Sequence, residues 1–246
     1  MTLHTYLPQD RLRALARGET LPDRTTGSAL FADISGFTPL TEGLRDSLGP
    51  RRGAEELTRH LDTVYTALIT EIERYGGSVI GFAGDAVTCW FDEKDEGRRM
   101  KDEIISSSAR ATACAFALQA VMESFKAIAL PNGTTTELAL KVAVASGPAR
   151  RFVVGDPSLH YMDALAGATV ARTSTGEHLS ERGDVLLDEA TVNALGDKLT
   201  IKEWRTDDES NERFAVADKY SETIAPVEQS AISELSSEQQ EQNLTL

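Results

Sequence analysis

The sequence predicts an α+β domain, a ferredoxin-like βαββαβ sheet with helices packed on one face. Two observations predict it. The segments read in the order strand, helix, strand, strand, helix, strand, and a hairpin lies between the two long helices, which excludes a fully parallel doubly wound sheet. The 246 residues divide into an N-terminal arm over 1–25, a main domain over 26–218 and an acidic Ser-, Glu- and Gln-rich linker or tail over 219–246.

Within the arm, residues 8–16 read as a short helix ahead of Gly18 and a Leu21-Pro22-Asp23-Arg24 loop. The stretch LFADISGFTP, residues 30–39, reads as a buried strand that ends on Asp33 and turns at Gly36 into a helix. Thr38 is the expected N-cap of that helix and Pro39 its first residue, with Gly49-Pro50 as the stop. Leu57, Leu61, Val64, Leu68 and Ile72 then recur at helical spacing and mark an amphipathic helix that ends at Tyr75-Gly76-Gly77. Residues 78–91 make two apolar strands around the turn Ala83-Gly84-Asp85-Ala86.

A charged loop is expected over 92–102 and a second long helix over 109–128, broken by Pro131-Asn132-Gly133. Residues 137–145 alternate as a strand, Gly147-Pro148-Ala149-Arg150 reads as a turn, and 152–154 as the returning strand. A helix near 165–179, a strand over 185–187, a helix over 189–195 and strands near 199–204 and 213–216 complete the domain.

A formal charge of −14 and the lack of a basic stripe argue against a nucleic-acid surface. The pairs Arg51-Arg52, Arg98-Arg99 and Arg150-Arg151 read as solvated positions, and the four scattered histidines receive no chemistry. Cys89 and Cys114 lie in apolar segments without ligand spacing, which predicts buried reduced thiols. No apolar run reaches membrane-spanning length and no signal-peptide pattern opens the chain, so a cytoplasmic protein without a membrane partner is expected.

The chemistry is concentrated in two stretches. Asp33 ends a strand beside the start of a helix, where free backbone N–H groups attract phosphate. A carboxylate there repels phosphate unless a divalent cation lies between them, which points to metal-nucleotide chemistry. If the hairpin lies beside the first strand, Asp85 at its tip faces Asp33, and two such carboxylates form a plausible two-metal site.

FADISGFT at 31–38 followed by FAGDA at 82–86 resembles the class III adenylyl and guanylyl cyclase catalytic domain. The likeness is strongest to the first cyclase domain of soluble, bicarbonate-type adenylyl cyclases, and extends to the N-terminal cyclase domain of large bacterial multidomain proteins. It covers roughly residues 26–216. The resemblance implies conversion of a nucleoside triphosphate to its 3′,5′-cyclic form by attack of the 3′-hydroxyl on the α-phosphate, with two Mg²⁺ or Mn²⁺ ions. It implies that Asp33 and Asp85 hold the ions, with the Ile34 carbonyl as a further ligand. The substrate-binding set it implies is Ile34, Ser35, Gly36, Phe37 and Thr38, with backbone N–H groups of Gly36, Phe37 and Thr38 on the phosphates, and Lys141 on the triphosphate.

The departures matter equally. The family's adenine-reading positions are Gly81 and Ala164 here, and its transition-state Asn and Arg align with Ala171 and Thr175, with Arg172 out of register. The resemblance therefore implies the metal-bearing half of a composite site, completed by a complementary cyclase domain, with a homodimer carrying the same gap at both sites. ATP is favoured over GTP, and bicarbonate regulation is weakly indicated. One rival is a catalytically degenerate cyclase-like domain that binds nucleotide or a partner and regulates attached modules. A diguanylate cyclase ranks lower, because Gly76-Gly77 is followed by Ser78 and not by an acidic signature.

Overall fold

In a computed structural model, residues 7–94, 99–100, 103–156 and 160–224 are described. In chain order the elements are α1 (Gln9–Ala16), β1 (Arg24–Ser35), α2 (Phe37–Leu48), α3 (Pro50–Arg74), β2 (Ser78–Ala83) and β3 (Ala86–Asp92). Then follow β4 (Arg99–Met100), β5 (Glu103–Ile104), α4 (Ser107–Met122), β6 (Ile128–Ala129), β7 (Thr135–Thr136), β8 (Ala139–Asp156) and β9 (His160–Ala166). The last are α5 (Ala168–Leu179), β10 (Val185–Asp188), α6 (Glu189–Leu195), β11 (Leu199–Thr206) and β12 (Arg213–Tyr220).

The main sheet runs β11-β12-β10-β8-β1-β3-β2, with β9 also paired to β8. β1 sits between β8 and β3, antiparallel to both, while β10 runs parallel to β8. Because strand side chains alternate between faces, Leu30, Ala32 and Ile34 of β1 join Val87, Cys89 and Phe91 of β3 and Leu140, Val142 and Val144 of β8 on one apolar face. α3 lays Val64, Leu68 and Ile72 on it, and α4 adds Ala111, Cys114, Ala115 and Leu118. Both cysteines are free and buried there, and burial pushes both thiols far above their ordinary range.

The helices do not all share that face. α5 covers the other side, where Leu179 packs on Ala143, Leu186, Phe214 and Val216. Gly176 permits the approach: a Cβ there would stand 3.1 Å from the Phe214 ring and 3.2 Å from the Ala143 Cβ. A smaller cluster on Ala29, Trp90 and Ala149 gathers Ile80 of β2 and Leu165 of β9.

The expected turn at Gly147-Pro148 is absent, and β8 runs unbroken for 18 residues. The Ser146 N–H points away from β1 and donates to Asp188 Oδ1 at 3.2 Å, so Pro148, two residues on, turns its missing N–H to the same edge. That edge is unpaired between Val144, the last partner of β10, and Arg150, the first partner of β9. A proline there costs no ladder bond. The returning strand is β9, which takes the first residues assigned to a helix at 165, and α5 starts at Ala168.

Three smaller expectations also change. α4 begins at Ser107, capped by the Ser106 hydroxyl, and ends at Met122, so Ile128 instead pairs with Thr136 across the Pro131-Asn132-Gly133 turn. Of the charged loop, residues 95–98 and 101–102 lie outside the described residues, while 99–100 and 103–104 pair as two short strands. β12 extends to Tyr220 and Ile224 is buried, whereas the tail from 225 lies outside the described residues.

Arg151 is buried, not solvated. Its guanidinium bonds Asp163 of β9 at 2.9 Å and Asp10 of α1 at 2.8 Å, and Arg11 of α1 pairs with Asp163 as well. Burial opposes the charge on Arg151, but the two carboxylates outweigh it and raise its pKa. This network fastens the N-terminal arm to the β8–β9 hairpin, and the Asp10 N–H adds a bond to Ser78 of β2. No helix among the described residues is long and apolar enough to cross a membrane.

Candidate functional site

Asp33 is the tenth residue of β1, one before the buried Ile34, so its side chain falls on the face opposite the main core. It pairs in register with Ala86 of β3, the residue after the hairpin tip, and the Ile34 N–H reaches the Asp85 carbonyl at 3.4 Å. The β2–β3 turn thereby brings Asp85 beside Asp33, near enough for its charge to act on the Asp33 carboxyl. Burial, then the neighbouring Asp85 and Glu177, holds the Asp33 carboxyl above its ordinary value, against an opposing pull from Lys141.

On the other side of β1, Lys141 of β8 stands directly across the ladder from Asp33. Its ammonium pairs with Glu177 of α5 at 3.6 Å. Tyr65 of α3 completes the surroundings: burial, then the charges of Asp85 and Asp33, raises its phenol, and its ring meets Phe82 edge to face at 5.4 Å. Neither Tyr65 nor Glu177 was legible in the sequence. Tyr65 merely follows Val64 in a core stripe, and nothing near Glu177 in the chain marks it as a neighbour of a residue 144 positions away.

The turn into α2 differs from expectation. Gly36, not Thr38, is the N-cap, Phe37 is the first helical residue, and Pro39 is the third. Gly36 has φ 106°, and a Cβ there would collide with the Glu137 carbonyl at 2.3 Å, so only glycine fits. Pro39 is tolerated because the first four N–H groups of a helix have no helical partner. No side chain caps this end, which leaves the N–H groups of Phe37 and Thr38 beside Asp33 without a capping competitor. Thr38 is exposed, Phe37 leans on the core, and the Ser35 hydroxyl is taken by the Ala139 carbonyl at 3.3 Å.

Among the described residues no group of three or more His, Cys, Asp or Glu side chains is arranged to hold a metal ion. The candidate donors are instead two acids, Asp33 on β1 and Asp85 in the β2–β3 turn, with the backbone carbonyl of Ile34 next to Asp33 in the chain. That set suits Mg²⁺, which binds through one or two carboxylates and fills its remaining positions with substrate phosphates and water. A half-buried Asp33 carboxyl and an exposed Asp85 carboxyl brought together are relieved by a cation, so the residues present fit such an ion.

The positions expected to read the base and hold the transition state lack the chemistry for it. A Cβ at Gly81 would meet nothing within 4 Å, and Ala164 of β9 pairs with Phe152 of β8. On α5, Ala171 is exposed, and the Thr175 hydroxyl turns back to the Ala171 carbonyl at 3.3 Å. Arg172 binds Asp188 at 2.8 Å and the Ser146 carbonyl at 2.8 Å. Ser146 lies five residues along β8 from Lys141, roughly 16 Å at strand rise, so Arg172 is committed far from Asp33.

The curated relatives include adenylate cyclase type 10 of Mus musculus, 26% identical over 176 residues, which are 69% of this chain and 10% of that protein. The human protein of the same name is 26% identical over 166 residues, 67% of this chain. The chain thus spans about a tenth of the length of these relatives. Among solved structures, the adenylyl cyclase CyaB from P. aeruginosa is 21% identical with a TM-score of 0.62, covering 80% of this chain and 95% of that one. The guanylate cyclase domain of RhGC from Catenaria anguillulae, in complex with GTP, is 18% identical with a TM-score of 0.60 and covers 80% and 100%. At these identities the structures establish a shared fold. Residues 23–216 match the family model of the adenylate and guanylate cyclase catalytic domain, and with that match over most of its length this chain belongs to the family.

Proposed function

We propose that this domain is the metal-bearing half of a purine nucleotidyl cyclase that converts ATP, or less favourably GTP, to the 3′,5′-cyclic nucleotide and pyrophosphate in intracellular signalling. The observation that carries the reading is the meeting of Asp33 and Asp85 at the β2–β3 tip, beside the uncapped start of α2. Asp33 and Asp85, with the Ile34 carbonyl, would hold two Mg²⁺ or Mn²⁺ ions, which when bound lower the pKa of the attacking hydroxyl and neutralise the leaving pyrophosphate. The Gly36, Phe37 and Thr38 amides receive phosphate oxygens, and Lys141 adds a positive charge to the triphosphate. ATP is favoured through the likeness to adenylate cyclase type 10.

Gly81, Ala164, Ala171 and Thr175 offer no side chain that reads a purine or stabilises the transferred phosphoryl. A complementary cyclase domain, in the same longer chain or another, supplies those groups, and a homodimer of this chain lacks them at both sites. Loss of such an arginine costs about 10³ to 10⁵ in rate in phosphoryl transfer, so the chain alone turns over little. The test mixes the chain with a cyclase domain that carries the Asn and Arg and measures cyclic nucleotide. Activity is expected only in the mixture and is lost with Asp33→Ala. Robust cyclisation by the chain alone overturns the half-site reading.

The same four residues favour a second reading, a degenerate domain that binds nucleotide and regulates attached modules. It predicts nucleotide binding without turnover in every mixture.

A further inference from the structure

Lys141 is the one cation placed directly across the ladder from Asp33, yet the ion pair it makes is with Glu177. A lysine carries its charge on a flexible four-carbon stem and would settle on the nearest carboxylate. In the structure that carboxylate is Glu177, at 3.6 Å; with Glu177 gone it would be Asp33, the cross-strand partner whose carboxyl already feels the Lys141 charge. A direct Lys141–Asp33 pair would close Asp33 to any other cation.

Glu177 is poorly placed for any ordinary structural purpose. It sits in the last turn of α5, where the helix dipole disfavours a negative charge. Its pair with Lys141 is partly exposed, at 28% and 18% for the two side chains, and such pairs add little to stability. It also adds a third negative charge near Asp33 and Asp85. What it does accomplish is to occupy the ammonium.

We infer that Glu177 is a positioning residue: it draws the Lys141 ammonium off Asp33 and so keeps the Asp33 carboxylate open to a divalent cation. The inference rests on the proposed metal role of Asp33 and Asp85. It also accounts for how a lysine can stand beside a metal site without replacing the metal. When a triphosphate arrives, the same side chain swings from Glu177 to the phosphates.

The test is Mn²⁺ binding to the 246-residue chain without nucleotide, read from the electron paramagnetic resonance signal of free Mn²⁺. Glu177→Gln is expected to weaken binding about tenfold, because Lys141 then pairs with Asp33. In a Lys141→Met background the same change is expected to shift binding by less than about twofold, since the competitor is gone. Equal weakening in both backgrounds would mean that Glu177 acts only as a distant charge, and overturns the inference, as does an unchanged Glu177→Gln. Asp33→Asn separates the two levels. If wild-type chain binds no Mn²⁺, or binding survives Asp33→Asn, the metal reading falls and the inference with it. If Asp33→Asn abolishes binding but the Glu177 effect is additive, the inference alone falls. Melting temperatures near that of wild type verify that each variant is folded.

Discussion

Asp33 and Asp85 are held side by side by a backbone contact, the Ile34 N–H to the Asp85 carbonyl at 3.4 Å, and the Asp85 charge bears on the Asp33 carboxyl. The sheet therefore carries an electrostatic cost at this point. Burial, Asp85 and Glu177 raise the Asp33 carboxyl, so its ionised form is less stable in the fold than in the unfolded chain. That cost is absent below the unfolded value near pH 4, sets in as pH rises, and is complete above the raised folded value. Asp33→Asn removes it. The metal-free variant is expected to melt a few degrees higher than wild type at pH 7, with a gain of about 1 kcal/mol or less because the site is partly exposed. The gain should shrink as pH falls toward 4, and a variant less stable than wild type at pH 7 would contradict the account.

Arg151 offers a contrasting case, where charge is buried and satisfied. Arg151→Ala leaves Asp10 without its guanidinium and Asp163 with only Arg11. Removing one partner of a buried pair costs about 3 kcal/mol or more, which urea unfolding would read as a lower midpoint. Burial raises the Asp10 carboxyl, but its bond and charge interaction with Arg151 outweigh that and hold it below its ordinary value. Its stabilisation is thus present above pH 4 and lost as pH falls through the lowered folded value. Protease sensitivity of the arm near residues 17–23 is expected to rise over that acid range in wild type, and already at pH 7 in Arg151→Ala.

These two residues also mark what a sequence can reveal. The Asp33 and Asp85 stretches were legible because each is local: a strand, a glycine turn and an acid within ten residues. The α3 stripe at Val64, Leu68 and Ile72 was legible because helical spacing repeats it. Arg151 was not, since its partners lie 141 residues before it and 12 after it, and a basic pair in isolation resembles a solvated one. Pro148 misled for a related reason. Proline signals a turn locally, but whether a strand continues through it depends on which neighbour edges are paired, and only the assembled sheet decides that. The placement of α5 on the opposite face, and with it Glu177 near the carboxyl pair, is likewise a property of the whole topology.

Gly36→Ala tests the turn into α2. Its φ of 106° and the 2.3 Å approach of the Glu137 carbonyl to a Cβ leave no room for a side chain. The first turn of α2 must shift, at a cost of about 1–3 kcal/mol, and carry the Phe37 and Thr38 amides away from Asp33. Loss of nucleotide affinity well beyond the loss of stability is expected. Calorimetry with the triphosphate on the folded variant measures the first, and thermal melting the second. Unchanged affinity would remove the α2 amides from the phosphate site.

Ala171→Asn combined with Thr175→Arg tests whether the missing half has been located correctly. Ala171 is exposed and the Thr175 hydroxyl contacts only its own helix among the bonds seen, so both substitutions leave the packed face of α5, formed by Thr169, Thr173 and Gly176, intact. Asn and Arg are compatible with a helix surface, and the expected change in stability is within about 1 kcal/mol. In a head-to-tail homodimer each protomer then presents the pair to its partner's Asp33 and Asp85. Recovery of at least about tenfold in cyclic nucleotide formation is expected, a fraction of the 10³ to 10⁵ that a placed arginine supplies, since Gly81 and Ala164 still leave the base unread. The gain should vanish when Asp33→Ala is added. If instead moving the arginine by one or two positions along α5 restores activity and Thr175→Arg does not, the register assigned to Ala171 and Thr175 is wrong while the two-acid site stands.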